Sequence, residues 1–338
     1  MKKITLGKKP GIHNLKSSNF ELPEIGRRDV LLRMQAASLN YRDLEIINGT
    51  YGEKFKPGLV PLSDGAGDVI QTGKDVKLFR KEDRVVTSFW QNWPGGELKD
   101  AKSPQMLGGH KDGVLADYVV LNESGLVKIP DCLSYAEAAA IPCAGVTAWQ
   151  ALVVKGNIKA GDWVLLLGTG GVSLFALQFA KMHSAKTILL SSSEEKLRKI
   201  EEIGADFTIN YKETKDWPSK IKKLTSGGGV DHIIEVGGPS TFQNSLESAS
   251  IGGNINIIGY RNGQEGTANP LSILRHQLEV RAIAVGPTSS LEQVMSAYIA
   301  TEQKPPIHQI YNWDCFQEAL NDFSRGKHIG KIVLEKDN

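Results

Sequence analysis

The run Val164-Leu165-Leu166-Leu167-Gly168-Thr169-Gly170-Gly171-Val172-Ser173, continued by LFALQFAKM over residues 174–182, decides the fold. Four consecutive apolar residues read as a strand buried on both faces, and the longer proline-free apolar run reads as a helix. The link between them is short and made of small residues. Such a turn lets backbone N–H groups and the positive end of the helix face a pyrophosphate. Glycine is required where a side chain would block the phosphate. Ser173 replaces the third glycine of the G-x-G-x-x-G pattern and is still small enough for close helix–strand packing. Glycine pairs alone are common in turns. Here the strand before, the helix after and the next strand at the correct interval make Gly168, Thr169, Gly170, Gly171 and Val172 candidate dinucleotide ligands.

Working outward, strands at 164–167, 187–190, 207–210, 232–236 and 254–258 alternate with helices at 174–182, 196–203, 216–225 and 241–249. That alternation predicts an α/β domain with a parallel sheet covered on both faces. Upstream, short β-like runs at 30–34, 67–71 and 84–87 are punctuated by Gly and Pro. Residues 89–113 are polar, follow no period of 2 or 3.6, and read as a long loop or lobe. The texture changes after Val120, where Ser134 and Glu137 form a capping-box pattern. A helix at 316–323 and a strand at 330–334 end the pattern. The expected division is 1–125, 126–287 and 288–338.

The strand at 187–190 should end near an adenosine ribose. An acid there suits the 2′-hydroxyl of NAD, whereas donors suit the 2′-phosphate of NADP. This chain offers Ser191, Ser192 and Ser193, then Lys196 and Arg198. Ser192 with Glu195 also reads as a capping box, so the serines could simply start a helix. In a shifted register Glu194 would be the ribose acid instead, the alternative that suits NAD. Hydroxyls with a lysine one turn on favour NADPH, with NAD possible.

Composition excludes other classes. Formal charge is +2 from 40 basic and 38 acidic residues, with no dense basic run, which argues against nucleic acid or an anionic membrane as partner. Cys132, Cys143 and Cys315 are few and odd in number, as in a reducing compartment. The first residues lack an apolar core long enough for a signal peptide, and no stretch spans a bilayer. A cytoplasmic enzyme is the expectation.

Several further pieces carry a family resemblance: Asn40-Tyr41-Arg42-Asp43, residues 61–67, residues 142–149 (PCAGVTAW), the GTGGVS turn, Val236-Gly237-Gly238 and Gly330-Lys331-Ile332-Val333. As an ordered set they resemble the medium-chain dehydrogenase/reductase superfamily, in its zinc-free branch of quinone oxidoreductases and enone reductases. The resemblance implies a GroES-like β-barrel catalytic domain made from both chain ends, around an inserted Rossmann domain, with a cleft between them. It implies reduction of an activated carbonyl or C=C compound (a quinone, enone or enal) by NADPH, and a homodimer joined through the run 278–285. Alcohol–aldehyde chemistry and a non-catalytic NADPH-binding sensor are the alternatives.

Zinc members use Cys, His and Cys at positions that match Asn40, Ser63 and Cys143, and their structural-zinc lobe needs four cysteines where residues 1–131 have none. One thiol with an amide and a hydroxyl makes a poor zinc site. The expectation is no metal, with Cys143 a packing residue and the segment around Trp90, Trp93 and His110 in the lobe's place. The resemblance carries substrate-side roles to Asn40 and Tyr51, with Glu45 where a second aromatic often stands. Arg42 and Asp43 are candidate proton-relay members or a structural ion pair. It places Thr147, Gly237, Gly259 and Lys331 at the cofactor, and brings Lys196 and Tyr211, with Ser192, to the 2′-phosphate.

Overall fold

A computed structural model of the chain describes residues 1–98, 105–261, 263 and 265–337. Residues 147–284 form one unit, built on six strands. Trp163–Leu167 lies at the centre, with Lys186–Ser191 and then Phe207–Asn210 on one side. Val230–Glu235, Ala249–Ile257 and Glu279–Ala282 follow on the other. Every neighbouring pair is parallel. Numbered along the chain the order is 3-2-1-4-5-6, the doubly wound arrangement. The order reverses between Trp163–Leu167 and Val230–Glu235, and in open sheets of this kind ligands bind at the carboxyl ends of the strands beside such a reversal.

The apolar strand residues explain this architecture. Leu165, Leu167, Ile188, Leu190, Ile233 and Ile255 pack with Trp217, Ile221 and Leu246 in one buried cluster. Each such side chain contributes about 1.5–3 kcal/mol when fully buried. Helices Gly171–Met182, Glu194–Ile203, Trp217–Leu224 and Pro239–Ser248 connect the strands. Asp216 caps the third of these from outside, accepting from the Ser219 N–H at 3.2 Å, so the helix starts one residue later than its pattern suggests. The helix Ala144–Trp149, continued through a wider π-type turn at Gln150–Val154, is a feature the periodicity does not announce.

The other unit takes residues 1–146 and 285–338. Its largest sheet runs Ile307–Asn312, Lys331–Glu335, Asp29–Ser38, Asp64–Thr72, Arg84–Thr87 and Leu126–Lys128, with Tyr118–Asn122 pairing Asp29–Ser38 as well. Apart from the pair Ile307–Asn312 with Lys331–Glu335, the pairing is antiparallel. The two ends of the chain therefore share one sheet. The expected boundary at 125 is too early. Leu126–Lys128 pairs with Arg84–Thr87, and the helix Tyr135–Ala139 packs on Asp29–Ser38, which holds residues 126–146 in this unit. The second boundary falls at Val285 rather than after 287. Ser134 caps Tyr135–Ala139 in a full box with Glu137, as its spacing predicts. Within the polar segment, Trp90–Gln91 pairs with Gln105–Met106; part of the expected lobe, residues 99–104, lies outside the described residues.

Candidate functional site

In the parallel-sheet unit, Gly168 takes φ +79° directly after the central strand, a conformation that favours glycine. Its N–H donates to Leu190 O at 2.8 Å, which locks the turn to the neighbouring strand. The helix begins at Gly171 with Gly170 as its cap. Its first N–H groups have no acceptor further back in the helix. A Cβ placed on Gly168 or Gly170 meets nothing within 4 Å. The bare backbone thus faces open space at a helix N-terminus, which fits a pyrophosphate. Ser173 is buried and donates its hydroxyl to Leu167 O at 2.7 Å, so it ties helix to strand as well as allowing close packing.

Lys196 reaches back to this turn, its Nζ donating to Thr169 Oγ1 at 3.4 Å. Burial, and next the nearby Arg261, lower its pKa. The capping expected of Ser192 is done by Ser193, whose Oγ accepts from Lys196 N–H at 3.3 Å. Glu195 does not reach back but pairs with Lys199 at 2.8 Å. Ser191 Oγ accepts from Ser193 N–H at 3.3 Å. Asn210 donates to Glu194 Oε1 at 2.6 Å, which engages the acid considered for the ribose. Tyr211 donates its N–H to Ser191 O at 3.1 Å, which joins these two residues at the ends of adjacent strands, while Lys196 stands on the helix that follows the first of them. Thr147 is buried on Ala144–Trp149 in the same unit.

Sequence reasoning missed Glu235. It ends the Val230–Glu235 strand, fully buried, and Oε1 accepts from the N–H groups of Gly237 and Gly238 at 2.8 and 3.0 Å and from Thr241 Oγ1 at 2.7 Å. Ser245 donates to the other oxygen. Gly237 therefore shapes a turn whose N–H is already taken, and a Cβ there would sit 2.4 Å from Thr241 Oγ1. Gly259 donates its N–H to Glu235 O at 3.3 Å. The available signal was an acid closing an apolar strand just before two glycines.

The other unit gathers a buried polar cluster. Asn40 precedes the helix Tyr41–Asn48, and its N–H donates to Asp43 Oδ2 at 2.9 Å. Arg42 pairs with Asp43 Oδ1 at 2.9 Å and donates to the carbonyls of Leu107 and Gly108 at 3.1 and 3.3 Å. Its guanidinium lies 5.8 Å from the Tyr51 ring centroid and 5.1 Å from that of Phe89. Burial lifts the Asp43 carboxyl to about 6 against the pull of Arg42. Burial also raises Tyr51, with Arg42 again opposing. The Arg42–Asp43 ion pair is formed and is anchored to backbone on both sides. His110 is paired with Glu53 at 3.2 Å rather than simply solvated.

Ser63 donates to Asp64 Oδ1 at 2.6 Å, and Cys143 N–H donates to Asp64 Oδ2 at 3.0 Å. Lys331, expected at the cofactor, lies in the unit of residues 1–146 and 285–338. It is buried in this cluster, where Nζ donates to Leu39 O and Asn40 Oδ1, both at 2.6 Å, and lies 3.9 Å from Asp64 Oδ2. The position follows from the strand Lys331–Glu335, whose antiparallel partner Asp29–Ser38 leads directly into Leu39 and Asn40. A zinc ion does not fit this donor set: an amide whose oxygen is held by an ammonium, a hydroxyl committed to Asp64, and a Cys143 thiol that burial pushes away from thiolate. Among the described residues no group of three or more His, Cys, Asp or Glu is placed to hold a metal.

Family models match twice, an alcohol dehydrogenase GroES-like domain over residues 26–131 and a zinc-binding dehydrogenase over residues 171–300. The chain is 40% identical to a zinc-type alcohol dehydrogenase-like protein of Schizosaccharomyces pombe, over 97% of this chain and 96% of that one. Among solved structures it superposes on an NAD-dependent alcohol dehydrogenase with TM-score 0.91 at 32% identity, covering 100% of both chains. A quinone oxidoreductase of Pseudomonas syringae pv. tomato matches with TM-score 0.83 at 25% identity, covering 99% of both. With these relatives, a GroES-like domain and a doubly wound sheet bearing a dinucleotide turn, the chain belongs to the medium-chain dehydrogenase/reductase superfamily and is an oxidoreductase that uses a nicotinamide cofactor.

Proposed function

We propose that this oxidoreductase works without zinc and uses NADPH to reduce an activated carbonyl or C=C compound, such as a quinone, enone or enal. One observation carries the reading: Asn40 Nδ2 is a buried N–H donor with no hydrogen-bond partner among the described residues, in a cluster whose donors suit an oxyanion and not a metal. Fixed donors stabilise charge that develops on an acceptor oxygen, and such help suffices when the acceptor is already activated. Bound NADPH supplies the hydride; the overall reduction also consumes one proton. Tyr51 is a phenol, protonated near neutrality, that can offer a hydrogen bond to an acceptor oxygen; burial raises its pKa further, so it serves as a donor rather than as a strong acid. Ser191, Lys196 and Tyr211 favour the 2′-phosphate, Lys196 as a point charge. The same reading has a cytoplasmic enzyme acting on a small molecule, as a homodimer joined at the outer strand Glu279–Ala282.

Alcohol–carbonyl exchange with NAD is the second reading, favoured by the 32%-identical NAD-dependent alcohol dehydrogenase. Unactivated alcohols call for a metal Lewis acid, which the donor set here does not suit. Purified protein should oxidise NADPH with a benzoquinone or an enal, prefer it to NADH, and contain well under one zinc per chain. Zinc at about one per chain, with activity lost to chelators, would sink the proposal. Turnover of simple alcohols with NAD alone would replace it with the second reading.

A further inference from the structure

Lys331 is a charged side chain in the interior, and the reading above gives it no task. Its side chain is 3% exposed and sits at the start of the last strand of the sheet. The ammonium has three donors and no acceptor capacity. Leu39 O accepts one hydrogen bond at 2.6 Å, Asn40 Oδ1 accepts a second at 2.6 Å, and Asp64 Oδ2 stands 3.9 Å away as the counter-charge. Asp64 is held in turn by the Ser63 hydroxyl at 2.6 Å and the Cys143 N–H at 3.0 Å.

This chain of contacts settles which end of the Asn40 amide is which. The two ends are nearly identical in shape and are told apart by their partners. An ammonium can only donate, so the end it touches must be the oxygen. The nitrogen must then point away, and Asn40 Nδ2 is the buried donor left without a partner among the described residues. A flipped amide would set Nδ2 against Nζ, donor to donor, and lose a buried charge-assisted bond. The ammonium also polarises the amide and strengthens its remaining N–H as a donor.

We propose that Lys331 is a positioning residue: it fixes the Asn40 amide with Nδ2 turned away from the ammonium and free to donate, and Asp64 holds Lys331 in place to do so. The inference rests on the proposed reductase reading, because the free N–H acts only if an acceptor oxygen reaches it. Asn40 touches the substrate under that reading; Lys331 acts through Asn40.

The test is a double-mutant cycle on full-length protein, with kcat and KM for 1,4-benzoquinone, NADPH affinity by fluorescence, and thermal midpoints. Asn40→Ala and Lys331→Met should each lower kcat about ten- to a hundredfold, the range of one charge-assisted bond. Their NADPH affinity should stay near that of the wild type. The double variant should be no slower than either single one, and Lys331→Arg should recover much of the loss. Losses that multiply, or a Lys331→Met enzyme with full kcat, would overturn the assignment. Lys331→Met/Asp64→Asn removes the stranded carboxylate, so the cycle can still be read if Lys331→Met folds poorly. An arm without turnover separates this proposal from the reductase reading. Asn40→Asp should hold or raise the thermal midpoint while Lys331 lies beneath it, and lower it in the Lys331→Met background. Equal midpoint changes in both backgrounds overturn the contact even in an active enzyme. The expected coupling in a protein inert toward every acceptor would sink the reductase reading and leave the Lys331–Asn40 contact standing.

Discussion

The glycine turn at 168–173 and the polar cluster around Asn40 are built on opposite plans. The turn is six consecutive residues whose work is done by backbone, and Gly168 and Gly170 border open space. The cluster joins Asn40, Asp64, Cys143 and Lys331, brought from four distant segments, and its work is done by side chains whose polar atoms are nearly all engaged. A site made of backbone tolerates nothing added at its glycines but leaves the rest of the fold indifferent. A site made of buried side chains is part of what holds the fold together. Mutations should therefore separate binding from stability in the first region and confound them in the second.

The largest break should come from Arg42→Ala. It leaves Asp43 buried without its counter-ion, and losing one partner of a buried pair costs about 3–5 kcal/mol. Chemical denaturation at pH 7 should show that loss; a change under about 1 kcal/mol would mean the pair is only decoration. Next, on the cofactor side, Lys196→Ala should weaken NADPH binding by about 1.5–3 kcal/mol and leave NADH almost unchanged, with the fold intact. Equal losses for the two cofactors would remove Lys196 from the 2′-phosphate.

Gly170→Ala sharpens the contrast further. Its φ is −78°, so alanine is not strained there, and its Cβ touches no part of the chain. Stability should move by no more than about 1 kcal/mol, the scale of a helix-cap change, while NADPH affinity falls about tenfold. Unchanged affinity by titration would show that no phosphate approaches the turn. The last effect is graded: the pH dependence of Asp43. Its folded value of about 6 lies above its ordinary one, so between the two the folded chain keeps a proton the unfolded chain has lost. Stability from this group should fall as pH rises from about 4 to about 6, with a slope on the order of 1 kcal/mol per pH unit. Asp43→Asn should flatten that slope in urea titrations at several pH values.

The same contrast explains what could be read from the sequence. The central strand, the turn and the following helix are local, so their order and the strand at 207–210 were legible residue by residue. Ser193 in place of Ser192 as cap is a one-residue slip, decided by where the strand Lys186–Ser191 lets go, which periodicity resolves poorly. Residues 126–146 were assigned to the wrong unit because the change of texture after Val120 says nothing about the pairing of Leu126–Lys128 with Arg84–Thr87. The substrate-side candidates were nameable only through family likeness. The contacts of Lys331 were hidden for the same reason: its partners lie 292 and 291 residues away, and no spacing rule reaches that far. Glu235 was visible as an acid at the end of an apolar strand, but its role depends on a turn that folds back onto it.

The shared sheet of the first unit also has a consequence in time. Residues 331–335 leave the ribosome some 290 residues after the Asp29–Ser38 strand with which they pair, and until they arrive that strand lacks its neighbour over Ala36–Ser38. The Lys331 ammonium, which supports the loop at Leu39 and Asn40, arrives with them. The parallel sheet of residues 147–284 can form while the first unit waits. Synthesis thus imposes an order, with the cofactor-binding half complete before the half that carries Asn40. Until then a stretch of β edge stays open, the kind of surface that recruits other chains. Dependence on chaperones during synthesis should centre on the first unit, and loss of the last eight residues should harm folding far more than its length suggests.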